Sequence, residues 1–368
     1  MNRRAFLRGT AAAGAAGTAS LAGCLEQLGF EEESAWANPP LVENRPDAVY
    51  LPSSRDDMGM YGMATDGDYA AMLSYTFPHR FWTVEATDEG KELVEISADD
   101  SLHLMVTVWD RKTHTVLPVD ARIEIRQDGE LVDIGTSSLW PMISQRMGFH
   151  YGDNIQLPGE GQYTARIQTG PVSLERTGSF EGRLGSLGTL EVDFEYVRSD
   201  IHDLSFETIP DAQRGNREAL SLMKMNHGGG DESGHMPMGQ ATPLEELPGD
   251  SLETQHSGDA TFAALVSDAD RLTDGSSYLA ICPRTPYNGI ILPFTSLSAT
   301  VERDGETVYD GPLAETLDHE IGHHYGVAVD DLASGDRVTV AVDSPPQVSR
   351  HDGYETAFFD FDDVTYTV

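Results

Sequence analysis

Apolar residues recur at every second position through most of the chain. Leu102, Leu104, Val106 and Val108 alternate, as do Ile123 and Ile125, then Tyr163, Ala165 and Ile167, then Leu190, Val192, Phe194 and Tyr196. A period of two sends successive side chains to opposite faces of a strand, and the period of 3.6 that marks helices is almost absent. Asp128-Gly129 and Pro158-Gly159-Glu160-Gly161 interrupt the runs as turns. Short strands so spaced predict an antiparallel β-sandwich over residues 48–198. The patterning lapses over residues 199–257, which read as a linker. It resumes at 261–266, 278–281 and 298–301, and continues through Val338, Val340, Val342, Phe359, Phe361, Val364, Tyr366 and Val368. A second antiparallel sandwich over residues 258–368 follows, and the fold class expected is all-β with two sandwich domains, in keeping with the length of 368 residues.

The two halves parallel one another. LPVDARIEIRQDGE, at 117–130, matches LPFTSLSATVERDGE, at 292–306, with one insertion; MGFHYG, at 147–152, matches IGHHYG, at 321–326. QYTARIQTGP and DRVTVAVDSP then follow in the same order. An isolated DG turn recurs by chance in any β protein, whereas an ordered set of matches predicts that the second sandwich repeats the first.

Charge narrows the setting. Asp plus Glu number 61 against 24 Lys plus Arg, a formal net charge of -37, and lysine occurs only at Lys91, Lys112 and Lys224. Self-repulsion on this scale opposes a compact fold unless concentrated salt screens it, which points to a salt-loving source and a habit that resembles haloarchaeal proteins. Nucleic-acid partners are excluded, because phosphates would be repelled. The first residues form an address: Arg3-Arg4 and the Ala/Gly-rich run to Ala22 have the form of a twin-arginine export signal. Leu21-Ala22-Gly23-Cys24 has the form of a lipobox, so residues 1–24 are read as a lipoprotein signal and Cys24 as the lipid anchor. The apolar run is too short for a permanent span. Residues 25–47, acidic and without periodicity, are a tether holding the folded part at the outer face of the cytoplasmic membrane. Cys282 then has no partner for a disulfide and reads as a small buried hydrophobe.

Soft ligands carry the candidate chemistry. Met142 and His150 lie in LWPMISQRMGFHYG, and a thioether with a neutral imidazole suits copper, or supplements carboxylates at iron or manganese. Upstream, Met58, Met60 and Met63 crowd a loop with Asp, Gly and Tyr, and His79 follows. In the linker, Met223, Met225, His227, His235, Met236 and Met238 are spaced by Gly, Asp and Glu. That tract is either a copper-capturing segment or a solvated linker. Finally, His319-Glu320-Ile321-Gly322-His323 fits HExxH, which on a helix sets two His on one face for zinc with Glu as general base. This zinc metalloprotease reading requires residues 313–325 to be helical, yet Val327-Ala328-Val329 reads as extended. Taken as the repeat's version of the first motif, His319, His323 and His324 are metal candidates in their own right.

AVYLPSSRDDMGMYGM, LWPMISQRMGFHYGDNIQLPGEGQYTARIQTGP and LEVDFEYV, in that order, resemble the bacterial periplasmic ferrous-iron transport protein family over residues 49–197. The resemblance implies a cupredoxin/immunoglobulin-like sandwich, a homodimer, a copper site near the surface and a role beside a membrane iron permease. It places the family's methionine ligand on Met142 and its HYG histidine on His150. The family's early-strand His and Glu fall near Leu73 and Tyr75, and a later His falls within 172–183, where there is none. Met58, Met60, Met63, His79 and the linker are therefore the candidates to complete the site. The function expected is an exported, lipid-anchored protein that binds copper and/or iron and supports iron uptake. It is not an enzyme in the usual sense, although a redox step on iron is compatible with it. A copper chaperone or resistance protein without an iron role, the zinc metalloprotease, and a structural cell-surface module are the alternatives.

Overall fold

The computed structural model describes residues 39–223 and 237–368, apart from Ala86 and Asp331, and these are built almost wholly of β-strands. The twin-arginine signal and Cys24 lie outside the described residues, as do Met225, His227, His235 and Met236. Among the described residues the one α-helix is the five-residue Arg198–His202, and no helix is long and apolar enough to cross a membrane.

In the amino-terminal part a four-stranded antiparallel sheet runs Gly188–Tyr196, Gly161–Thr169, Ala121–Gln127, Glu130–Val132. Its strands bury every second residue, such as Tyr163, Ala165 and Ile167, and leave the alternate ones half-exposed. The hairpin of Ala121–Gln127 with Glu130–Val132 closes at Asp128-Gly129, both at positive φ (51° and 83°), the geometry that matches strand twist. Asp304-Gly305 repeats that turn in the second half.

The opposing sheet has eight strands, in the order Gly59–Asp66, Tyr69–Thr76, Leu102–Asp110, Gly148–Ile155, Trp140–Ser144, Ser349–Arg350, Phe81–Glu85, Thr87–Val94. Two of them, Tyr69–Thr76 and Leu102–Asp110, are buried at every position. One face is aliphatic: Leu73 pairs with Val106 and Tyr75 with Leu104, all within the main apolar core. The other face is different in kind, since Met72 pairs with Thr107, Ser74 with Met105 and Thr76 with His103. A sheet buried on both sides with sulfur, hydroxyl and imidazole on one of them sets the stage for a site.

The carboxy-terminal part forms a ten-stranded sheet that curls on the thirteen-residue strand Glu306–Asp318. The first portion of that strand pairs with Ser296–Arg303 and its last five residues pair with Gly322–Val329. The two parts exchange short strands. Ser349–Arg350 inserts between Trp140–Ser144 and Phe81–Glu85, while Glu175–Arg176 lies parallel to Glu306–Asp318. One apolar cluster accordingly contains residues of both parts, from Val49 to Tyr366.

The registers of the two halves coincide position for position. His150 faces Met142 and His324 faces Thr316; Gly152 faces Met105 and Gly326 faces Ala280. By that alignment Tyr278 occupies the place of His103, and the exchanged strands put Ser349 beside Met142 and Glu175 beside Thr316.

Candidate metal centre

His150 and Met142 stand opposite each other on the neighbouring strands Gly148–Ile155 and Trp140–Ser144, so their side chains leave the same face of the sheet. On the other side of the His150 strand, Asn154 faces His103, which brings a second imidazole onto that face. The third comes from the exchanged strand: His351 follows Arg350, and its amide donates to the Ile143 carbonyl. His103, His150 and His351 are all buried, and one ring nitrogen of each lies within 4.8 Å of the others. Ring centroids are 5.4 Å apart for His103–His351 and His150–His351 and 6.4 Å for His103–His150. One ion at the usual metal–imidazole length of about 2 Å fits this spread after small ring rotations.

The hydrogen bonds prepare the rings as ligands. His103 Nδ1 lies 2.9 Å from Asn154 Oδ1 and His150 Nδ1 lies 3.2 Å from the Gly148 carbonyl, two acceptors that hold the proton on Nδ1. The lone pair is then on Nε2, and the Nε2 atoms of His103, His150 and His351 have no hydrogen-bond partner among the described residues. A buried, unpartnered nitrogen is costly, and one bound cation would satisfy all three together. Burial pushes the His150 pKa down to about 4, and pushes His103 and His351 well below the ordinary value, aided by repulsion from neighbouring imidazoles. All three are neutral near pH 7, the form that binds metal.

His79 stands next to the cluster, 5.4 Å from the His103 ring and 5.3 Å from His351. Its Nε2 is 3.2 Å from Asp56 Oδ2. Burial acts to lower its pKa, but the charge and hydrogen bond of Asp56 outweigh this and raise it. His79 and Asp56 line a cavity of about 60 Å³, with Phe77, Arg146, His351 and Asp352, that connects the cluster's edge to the surface.

Residues 245–367 match the family model of a domain of unknown function, DUF7350. No curated protein matches the chain. Among solved structures the chain is similar to FetP of a uropathogenic E. coli strain, with a TM-score of 0.29 and 18% identity, covering 38% of this chain and 97% of that one. A copper-bound variant of FetP gives 0.30 and 18%, covering 38% and 93%. A copper-bound variant of P19 from Campylobacter jejuni gives 0.30 and 16%, covering 38% and 98%.

The residues expected from sequence are distributed unevenly about this centre. Met142 and His150 are at it, and His79 borders it. Met58 and Met238 line a smaller cavity that also reaches His150. Met60 and Met63 are 41% and 52% exposed on the edge strand Gly59–Asp66 and are not brought to the cluster. The two ends of the linker tract are fastened to the turn before His150: the Met223 amide donates to the Arg146 carbonyl, and the Phe149 amide to the Met238 carbonyl.

The HExxH segment is not a helix. Glu306–Asp318 and Gly322–Val329 are antiparallel strands and His319-Glu320 form the turn between them, so the one-face argument for zinc fails. His319 and Glu320 are exposed, Glu320 is ion-paired with Arg271, and His323 Nε2 is held 2.7 Å from Glu315 Oε1. His324 takes the place of His150 and keeps its bond from Nδ1 to the carbonyl two residues back, Gly322, at 3.0 Å. Its Nε2, however, is 3.1 Å from Tyr278 Oη. The tyrosine at the His103 position thus engages the His324 nitrogen that a metal would need, while His323 keeps a buried Nδ1 without a hydrogen-bond partner among the described residues.

His103 and His351 were not among the residues expected. The trace of His103 is its position between the members of the alternating apolar run, on the second face of a strand buried on both faces. His351 has no local signal, because its role comes from a strand exchanged between the halves.

Proposed function

We propose that the chain is an exported, lipid-anchored metal-binding protein that holds a copper ion at His103, His150 and His351 with Met142, and supports iron uptake by a membrane permease. The observation that carries the metal reading is the convergence of three buried imidazoles whose Nε2 atoms have no partner among the described residues. Three nitrogens with a thioether on the neighbouring strand form a donor set suited to copper more than to calcium or magnesium. His79 and Asp56, at the mouth of the cavity, form a path by which an ion reaches the cluster and leaves it. The support for export and anchoring is the twin-arginine pattern and Cys24, and the support for the iron partner is the resemblance over residues 49–197. Copper titration of the purified full chain tests the centre. We expect one equivalent of Cu(II) bound with an imidazole ligand-field spectrum, and at least about a hundredfold loss of affinity in His150→Ala and His351→Ala. Unchanged affinity in both variants would refute the assignment.

A further inference from the structure

A second cavity, of about 10 Å³, shares His150 with the cluster and is walled mainly by Met58, Met72, Met105, Met147 and Met238, with Pro237 beside them. Five of the chain's twelve methionines meet at this one place, brought there by five separate segments. Core filling accounts for Met72, which belongs to the main apolar core, and for Met58, which packs against it, but not for the others. Met105 and Met147 are buried, yet neither belongs to an apolar core cluster. Met72 and Met105 occupy the sheet face opposite Leu73, Leu104 and Val106, in rows with His150, Thr107 and Ser74. Ser74 and Thr107 also line the cavity, and the Ser74 hydroxyl is buried without a partner. A volume of this size is that of about one water, so it admits a bare ion and excludes a hydrated cation or an organic ligand. No carboxylate or other charged side chain lines it.

We propose that this pocket is a site for one soft monovalent cation, Cu(I) or its analogue Ag(I), held by thioether sulfurs and distinct from the imidazole cluster. Neutral sulfur donors select Cu(I) and Ag(I) and offer nothing to iron, manganese, calcium or magnesium, which need oxygen or nitrogen ligands. Methionine's unbranched chain lets several sulfurs turn toward one point without backbone movement. Because both sites include His150, they are one ligand apart, and an ion passes from sulfur to imidazole by ligand exchange within the protein. The inference goes beyond the proposed function and rests on sulfur donors which that function does not use, His150 being the residue the two sites share.

The full chain, labelled with 13C at the methionine methyl groups, is titrated anaerobically with Ag(I), the resonances being assigned by single Met→Leu substitutions. We expect the methyl signals of Met72, Met105 and Met147 to shift together with one equivalent. In Met72→Leu/Met105→Leu the Ag(I) stoichiometry falls by one, while Cu(II) binding at the imidazole cluster stays within threefold of wild type. If the three resonances remain in place at saturation while Met223, Met225 and Met236 shift, or if the double variant keeps the full stoichiometry, the proposal is wrong. The wild-type spectrum decides the matter by itself should the double variant fold poorly. Loss of Cu(II) binding alone, with the Ag(I) shifts intact, would count against the imidazole centre and not against this site.

Discussion

At the scale of single residues, the chain uses one motif for two ends. His150 and His324 follow the same backbone path and make the same bond to the carbonyl two residues before them, at 3.2 and 3.0 Å. What separates the candidate ligand from its structural counterpart is the atom facing Nε2, which is the Tyr278 hydroxyl for His324, whereas His150 Nε2 has no partner among the described residues. Both histidines are buried and both have pKa values lowered from 6.5 to about 4, mainly by burial. A depressed folded-state pKa stabilises the fold fully above the unfolded value and loses that contribution as pH falls toward the folded one. Metal-free protein should therefore lose stability between about pH 6.5 and 4, by roughly 3 kcal/mol for each of these imidazoles. Urea unfolding at pH 7 and pH 4.5 measures the loss, and His324→Gln should remove part of the slope. A flat profile across this range would contradict the neutral, buried state of the two rings.

At the scale of elements, the short strand Ser349–Arg350 decides whether there is a centre at all. It is two residues long, bridges Trp140–Ser144 and Phe81–Glu85, and delivers His351 to the cluster. Arg350 is fully buried and anchors the segment by donating to the Ala357 and Pro346 carbonyls, with its guanidinium 4.3 Å from the Phe359 ring centroid. Arg350→Ala leaves those carbonyls unpaired and opens a void, and we expect a loss of roughly 3 kcal/mol in denaturant unfolding together with weakened copper binding. Retention of wild-type copper affinity in this variant would show that His351 is positioned by something other than the strand. The counterpart, Glu175–Arg176, carries no histidine after it but Thr177, whose hydroxyl bonds to Asp318. The exchange is thus reciprocal in backbone and one-sided in chemistry.

At the scale of the whole molecule, the net charge is -37, and the buried acids Asp110, Asp318, Asp336 and Glu355 are each ion-paired with an arginine, so the repulsion falls on the carboxylates left at the surface. Surface carboxylates repel one another over a Debye length of about 10 Å at 0.1 M salt and about 3 Å at 1 M. The melting temperature should rise steeply as KCl is raised from the low to the molar range, and thermal unfolding at several salt concentrations checks this. A melting temperature independent of salt would mean that the acidic surface carries no cost.

Much of the architecture was legible along the chain. Alternation of apolar residues gave the strands, because a period of two is a local consequence of the pleat and needs no tertiary knowledge. The paired motifs around HYG revealed that one design is used twice, and Met142 with His150 were readable as a pair because a hairpin makes them neighbours across a tight turn. The remaining candidate ligands were hidden for a physical reason. His103 lies one strand away and His351 arrives from the other end of the sequence, and contacts of that kind are set by which strands the sheet accepts. The HExxH pattern shows the converse: a string that would be a zinc site on a helix is a turn between two strands here. The sequence by itself determined the pleat, the turns, the acidic surface and the soft donors it contains. Only the tertiary structure decided which of those donors meet, because pairing across a sheet depends on the packing of the whole chain and not on any stretch within it.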